Sequence, residues 1–442
     1  MKPFAAILFL LISIFPNAQN SFEIKEGNQV TIPFQLINNL IFVPVTINGV
    51  SLTFLLDTGV SETTIFSLED KEMKLENLEK LNFSGLGSSA SIQGYKSDLN
   101  TAVIAKNFVN NSCALYILLD QGINISSHVG IPVNGILGYH FFKNHALIIN
   151  YQTKKITVFN DENTFLRKIK KFKTLPISIE KNKPYALSDV DVSKNLSEPT
   201  SKLLIDLGNS DALWIFPSVA SPFINKKPSI DDYLGRGFNG DIFGKRSRIF
   251  NFSIAGFSFE KPLMAMPDEN SIKHVILVDG RKGSVGGEIM RRFTVGFDYP
   301  NHRLYLRKNK AYDEPFHFNM SGLDFEQVGV EWEKDILTLE SKPKDASSAV
   351  PIINNNVQYR FVLKPVFSVA GVRKDSPGDK AGLEKGDKLI SINGRKTSEM
   401  TLKKIIEIMK SDEGKTISMI VERKNRLLPI QFTLEDPIPY QE

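Results

Sequence analysis

The sequence predicts a mainly β chain in which two equivalent lobes precede a smaller α+β domain. Two segments within the first three hundred residues match each other in motif, order and spacing. Alternating apolar runs with frequent Gly and Asn turns fill both segments, and the character of the sequence changes near residue 316. With 442 residues, 42% of them hydrophobic, the chain is long enough to build several cores. A net charge of +5, without a long Lys/Arg run or an arginine-aromatic stripe, argues against a nucleic-acid partner.

Residues 1–19 read as an export signal. Lys2 precedes the apolar run Phe4 to Phe15, and small and polar residues follow, which places cleavage near Ala18 or Gln19. The run is shorter than the roughly 20 residues of a bilayer span, so a retained anchor is the competing reading and no span is expected after cleavage. The segment has no cysteine to accept a lipid. The chain's single cysteine, Cys113, cannot pair internally and reads as a buried structural thiol. Export without disulfides fits a bacterial protein, whether periplasmic, envelope-associated or secreted.

The repeat fixes the lobes as residues 20–165 and 170–312. TFLLDTGVSETTIF from Thr53 and KLLIDLGNSDALWIF from Lys202 each read as an apolar strand, an Asp-x-Gly turn and a second strand. Gly85, Gly87 and Gly94 recur as Gly235, Gly237 and Gly244, which suggests two equivalent β-hairpins. The stretch from Gly135 aligns without a gap to that from Gly283, pairing Gly138 with Gly286 and Tyr151 with Tyr299. Thr31-Ile32-Pro33 recurs as Thr174-Leu175-Pro176 at a slightly smaller offset, a drift that loop insertions accommodate at small entropic cost.

Each copy places one carboxylate, Asp57 or Asp206, at the end of an apolar strand, where two lobes can bring two acids together. Two carboxylates sharing a site hold one proton between them. The ionised member then takes a proton from water as it attacks a carbonyl, while the protonated member hydrogen-bonds the carbonyl oxygen. This chemistry needs neither metal nor cofactor. Gly59 and Gly208, lacking Cβ, let backbone N–H groups approach the carboxylates, and the Asn209 amide is in reach of Asp206.

These residues resemble the pepsin-like and retropepsin-like aspartic proteases, whose lobes each carry an Asp-[Thr/Ser]-Gly turn and a later apolar-apolar-Gly motif. Asp57-Thr58-Gly59 is followed by Ile136-Leu137-Gly138, and Asp206-Leu207-Gly208 by Ser284-Val285-Gly286. The resemblance spans residues 30 to 310. It implies a bilobal pepsin-like double β-barrel, the acid protease fold, acting as an aspartic endopeptidase on polypeptides. It makes the Gly85 to Gly94 hairpin the flap and the Thr58 hydroxyl a brace between the loops. Leu207 stands where the family has Thr or Ser and cannot supply the second brace, Val60 cannot hydrogen-bond Asp57, and Ser284 replaces a large apolar residue. A peptide-binding or scaffold protein of the same fold without hydrolysis is therefore the alternative function.

Residues 316–436 resemble a PDZ domain with a long polar insertion near 338–356. The Ser376-Pro377-Gly378 turn, the Gly386-Asp387 turn, the strand KLISIN, the Asn393-Gly394 turn and an amphipathic helix from Leu402 to Met409 follow in the family's order. The resemblance implies that protein C-termini add as a strand beside this helix. Gly322-Leu323-Asp324-Phe325, placed after a strand at FHFNM, is the expected carboxylate loop, with Leu402 facing the peptide; Asp324 would repel an anion there. Tyr359-Arg360-Phe361 is an alternative loop. His140 and His145 read as opposite faces of a strand, not a metal pair, Trp214 as core, and Ser61 and Ser210 as turn residues, not nucleophiles.

Overall fold

The computed structural model describes residues 20–69, 71–83, 92–118, 125–224, 227–237, 240–273, 277–337 and 358–441. The expected export signal at 1–19, Gly85 and Gly87 of the expected flap, and the expected insertion near 338–356 lie outside these residues.

The internal repeat appears as strand pairing with pseudo-twofold symmetry. At its centre Ala146–Asn150 runs antiparallel to Phe293–Asp298, with Ile148 opposite Gly296. Outward on one side lie Lys155–Phe159 and Gln29–Pro33, and on the other Arg303–Lys308 and Lys173–Glu180. The two matched lead-in strands thus occupy equivalent places on either side of the central pair in one sheet that joins the lobes, Gln29–Pro33 ending it and Lys173–Glu180 continuing into Lys183–Ser193. One apolar cluster, from Phe22 through Phe141, Phe142 and Phe297 to Tyr312, runs through both lobes.

Within each lobe, the strand that ends at the aspartate is paired in parallel by the later apolar-Gly strand. Val50–Leu56 pairs with Gly135–Leu137, and Leu196–Ile205 with Arg281–Val285. A further strand, Thr63–Ile65 or Leu213–Ile215, runs antiparallel on the other side. The matched glycines make this crossing fit. A Cβ at Gly135 would lie 2.2 Å from Thr64 O, and one at Gly283 2.0 Å from Trp214 O. The hairpins also recur: Leu81 sits opposite Gly94 in one and Asp232 opposite Gly244 in the other.

Two local expectations are corrected. Tyr139–Phe142 is a short helix, not a strand, as is its repeat partner Gly287–Met290, because each follows the turn glycine of the crossing strand. His140 bonds Asn20 O at 2.8 Å and Glu62 Oε2 at 3.2 Å, and His145 bonds Phe22 O at 2.9 Å. Phe316–Met320 is not a strand either; it lies across lobe two, with the Arg292 guanidinium 3.9 Å from the Phe316 ring centroid.

The C-terminal domain has its own core, built from Leu323, Phe325, Phe367, Val369, Leu389, Ile405, Met409 and neighbours. A long hairpin, Leu323–Leu337 and Gln358–Val372, leads into Lys388–Ile392, Thr416–Arg423 and Arg426–Thr433. Tyr359-Arg360-Phe361 lies inside the second hairpin strand and forms no loop. The helix Leu402–Met409 buries Leu402, Ile405 and Met409, and Thr401 caps it by accepting from Lys404 N. Arg248 ties the domain to lobe two through Ile438 O, Phe316 O and Asp436.

Candidate active site

The two strand crossings bring Asp57 and Asp206 face to face. Asp57 N–H donates to Leu137 O at 3.0 Å, and Asp206 N–H to Val285 O at 2.9 Å, so each aspartate hangs from its crossing strand in the same way. A Cβ at Gly59 would lie 3.0 Å from Oδ1 of both aspartates, and one at Gly208 2.2 Å from Asp57 Cγ. Only glycine leaves room for the two carboxylates to meet between the loops. Gly59 N–H donates to Asp57 Oδ1 at 2.6 Å. Gly208 N–H serves both carboxylates, and Asn209 N–H serves Asp206.

Asn209 differs from expectation. Its Oδ1 accepts from Asp211 N at 2.9 Å, so the backbone amide, not the side chain, supports Asp206. Thr58 acts as a brace: its buried hydroxyl donates to Ile205 O at 2.6 Å and accepts from Leu207 N at 3.0 Å. Leu207 is buried in the lobe core and contributes its backbone to that brace. Asn39 of lobe one adds a second tie, donating to Ser210 O at 2.9 Å and to Glu288 at 2.8 Å. Ser61 Oγ reaches Lys181 O at 3.2 Å across the lobes.

Burial pushes the Asp57 carboxyl up to about 7, with the charge of Asp206 adding to the rise and the Gly59 N–H, Lys183 and the Gly208 N–H opposing it. Burial also raises Asp206, but Arg281 and Lys183 pull it back. Both carboxyls are thus raised, and the buried pair holds one proton between them.

Lys183 and Arg281 were not singled out from the sequence, because neither belongs to the repeated motif. Lys183 opens the strand after the Glu180–Lys183 turn, and its ammonium makes no hydrogen bond or ion pair among the described residues. Burial and Arg281 lower its pKa, while both aspartates raise it. Arg281 is held by Gly283 O at 3.1 Å and Ser284 Oγ at 2.9 Å. Ser284, which weakened the motif, thus holds the cation whose charge most lowers Asp206. Beside it, Phe216, Pro217, Ile272, Leu277 and Arg281 line an open pocket of about 470 Å³. Trp214 is core, with Nε1–H donating to Asp211 Oδ2 at 2.8 Å.

Of the expected flap, Gly94 is buried in the strand Ile92–Ile104, while Gly85 and Gly87 are outside the described residues. In the C-terminal domain Gly322 has φ of 73°, and a Cβ there would lie 2.1 Å from Ser376 Cβ, so the turn requires glycine. Leu323 and Phe325 point into the core, and Asp324 is exposed among Asp232, Arg373 and Arg246. Leu402, expected to face a peptide, lies against Gly130 of lobe one.

Residues 43–141 match the family model described as aspartyl protease, and residues 368–423 match that described as PDZ domain. Among solved structures, the aspartic proteinase from Irpex lacteus superposes with a TM-score of 0.44 and 13% identity, covering 65% of this chain and 99% of that chain. The two family matches place an aspartyl protease domain ahead of a C-terminal PDZ domain. Together they mark a protease with a peptide-binding domain.

Proposed function

We propose that this protein is an exported aspartic endopeptidase whose PDZ domain binds peptide or protein C-termini. The observation that carries the catalytic reading is the meeting of Asp57 and Asp206 over Gly59 and Gly208, in a buried pair whose carboxyl pKa values are both raised. A water between the carboxylates would lose a proton to Asp206 as it attacks the peptide carbonyl, while Asp57 donates a hydrogen bond to the carbonyl oxygen. The tetrahedral intermediate collapses as Asp206 passes the proton it took from water to the amide nitrogen, the C–N bond breaks and the carbonyl reforms, which leaves Asp206 ionised and Asp57 protonated as at the start. Each substrate bond is hydrolysed without a covalent enzyme intermediate.

Export rests on the apolar leader from Phe4 to Phe15 and the solitary buried Cys113. A periplasmic, envelope-associated or secreted location follows from the same features. Among the described residues no helix is long and apolar enough to cross a membrane. The intact mass of the protein recovered from cells tests this reading: a mature N-terminus near Ala18 to Asn20 supports export, and a retained Met1 refutes it.

Catalysis is tested with purified protein and denatured casein between pH 3 and pH 8. Wild type should cleave, and Asp57→Asn and Asp206→Asn should each lose at least about a thousandfold in rate. Cleavage surviving in either variant refutes the paired-aspartate mechanism. Absence of cleavage by wild type at every pH favours the non-hydrolytic binding protein, in which Leu207 marks the loss of the second brace.

A further inference from the structure

The sheet of the PDZ domain ends at the strand Leu323–Leu337, whose one pairing partner among the described residues is Gln358–Val372. The opposite edge of that strand, flanked by the helix Leu402–Met409, is where a PDZ domain takes an extended peptide. Here a short lobe-one helix, Ile125–Val129, lies against both the strand and the helix. A Cβ at Gly130 would stand 3.1 Å from Leu402 Cβ and 3.4 Å from Gln327 Oε1. Gly130 has φ of 72° and closes the lobe-one helix by donating to Ser126 O at 2.8 Å. Glycine thus serves twice, in the left-handed turn and in the close approach to Leu402.

The opposite face of the same helix is rooted near the dyad. Val129 is buried with Ile37, Phe42, Leu55, Val133 and Ile136, and Val60 packs against this cluster. Leu55 precedes Asp57 by two residues, and Val60 follows it by three. At the far end of the groove, Asp324 beside the Gly322 turn lies in the electrostatic field of Asp232 and Arg246 of lobe two. The lobe-one helix thus lies against the strand and the helix between which a peptide would add.

We propose that Ile125–Val129 with Gly130 is the resident occupant of the PDZ groove, so that an extended peptide with a free C-terminus enters only when the PDZ domain leaves this helix. The inference rests on the PDZ domain binding C-termini, as proposed above, and does not depend on catalysis by the dyad. Docking and peptide binding are then mutually exclusive. A peptide ligand pays the undocking free energy, which lowers its apparent affinity for the full chain. It also releases a helix seated in the cluster that flanks Asp57, which makes the ligand a linked effector of the catalytic lobe.

The test uses the full-length chain carrying Gly130→Cys with Leu402→Cys. The 3.1 Å Cβ approach is shorter than the roughly 3.5 to 4.5 Å of disulfides, so the helix must shift by under about 1 Å to close the bond, and Cys113 is fully buried with its thiol pushed up to about 12, so it does not compete. Oxidation should form the cross-link. The probe is a pool of fluorescent peptides randomised at their last positions, with a C-terminally amidated pool as control. The reduced form should retain the free-acid pool at least about tenfold better than the oxidised form. Gly130→Tyr, which forces the helix off Leu402, should bind the pool more tightly than wild type. Equal retention by the cross-linked and the reduced form, binding by Gly130→Tyr no tighter than by wild type, or no retention by the reduced form and Gly130→Tyr alike would each overturn the proposal. Casein cleavage by wild type is scored separately, so a failed dyad and an open groove give distinct results.

Discussion

Thr58 and Leu207 are joined by a hydrogen bond that crosses the lobe interface, with Leu207 N–H donating to Thr58 Oγ1 at 3.0 Å while the same hydroxyl donates to Ile205 O at 2.6 Å. One side chain therefore braces the chain on either side of Asp206. Leu207 does not return the bond, and its side chain contributes apolar burial to the lobe core instead. Thr58→Val should leave Leu207 N–H and Ile205 O buried without a partner, at a cost on the order of 3 kcal/mol in urea unfolding. Thr58→Ser keeps the hydroxyl and should cost under about 1 kcal/mol. Equal losses in the two variants would show that the methyl group, not the hydroxyl, matters.

Gly208 is the tightest point of the site. A Cβ there would come within 2.2 Å of Asp57 Cγ and Oδ2, far inside contact distance, whereas one at Gly59 meets both carboxylates at 3.0 Å. Gly208→Ala should lower kcat by at least about a hundredfold with little change in KM, because it displaces a reacting group without touching the rest of the cleft. Gly59→Ala should be milder. A Gly208→Ala enzyme of normal kcat would mean that the carboxylate pair does not perform the reaction.

The pH profile follows from the same electrostatics. Activity requires one proton in the pair, so it should fall as pH rises through about 7, where Asp57 ionises. Lys183 and Arg281 favour the ionised carboxylates; removing a positive charge makes ionisation harder. Lys183→Met should therefore move both limbs of the kcat/KM profile to higher pH. Stability has the opposite dependence to that of a salt-bridged acid. The pKa of Asp57 is raised in the fold from 3.8 to about 7, so its protonated form is favoured and stability falls as pH climbs between those values. Asp57→Asn should accordingly raise Tm by at least about 2 °C at pH 8 and leave it nearly unchanged at pH 3. A shift of equal size at both pH values would remove the case for a buried, protonated Asp57.

The parts of this site that were legible in the sequence are those that the repeat wrote twice. Asp57 and Asp206, Gly59 and Gly208, and Gly135 and Gly283 occupy equivalent places because the same strand crossing must be built in each lobe, and a crossing strand tolerates no Cβ where it passes a neighbour's carbonyl. Lys183 and Arg281 escaped notice because each occurs once and is delivered by the return of a strand from a distant turn. The docking of Gly130 on Leu402 was equally hidden, since it depends on contact between parts of the chain more than 250 residues apart. His140 was misplaced because four apolar and aromatic residues in a row are compatible with either a strand or one helical turn, and the turn glycine Gly138 decided for the helix.

Arg246 offers a test of how the second catalytic turn is held against the PDZ domain. Its guanidinium donates to Asp211 Oδ1 at 2.8 Å and Asp232 Oδ2 at 2.6 Å, and lies 5.8 Å from the Phe318 ring centroid. Asp211 in turn accepts from Trp214 Nε1, and its N–H is held by Asn209 Oδ1 in the turn that follows Asp206. Arg246→Met leaves two mostly buried carboxylates facing each other and should destabilise the chain by about 3 kcal/mol. Adding Asp211→Asn removes one of the stranded charges, so the double variant should be less destabilised than the sum of the single changes by at least about 1 kcal/mol. Strict additivity in that cycle would show that Arg246 and Asp211 stabilise the turn independently, and that the ion pair does not link the catalytic loop to the domain behind it.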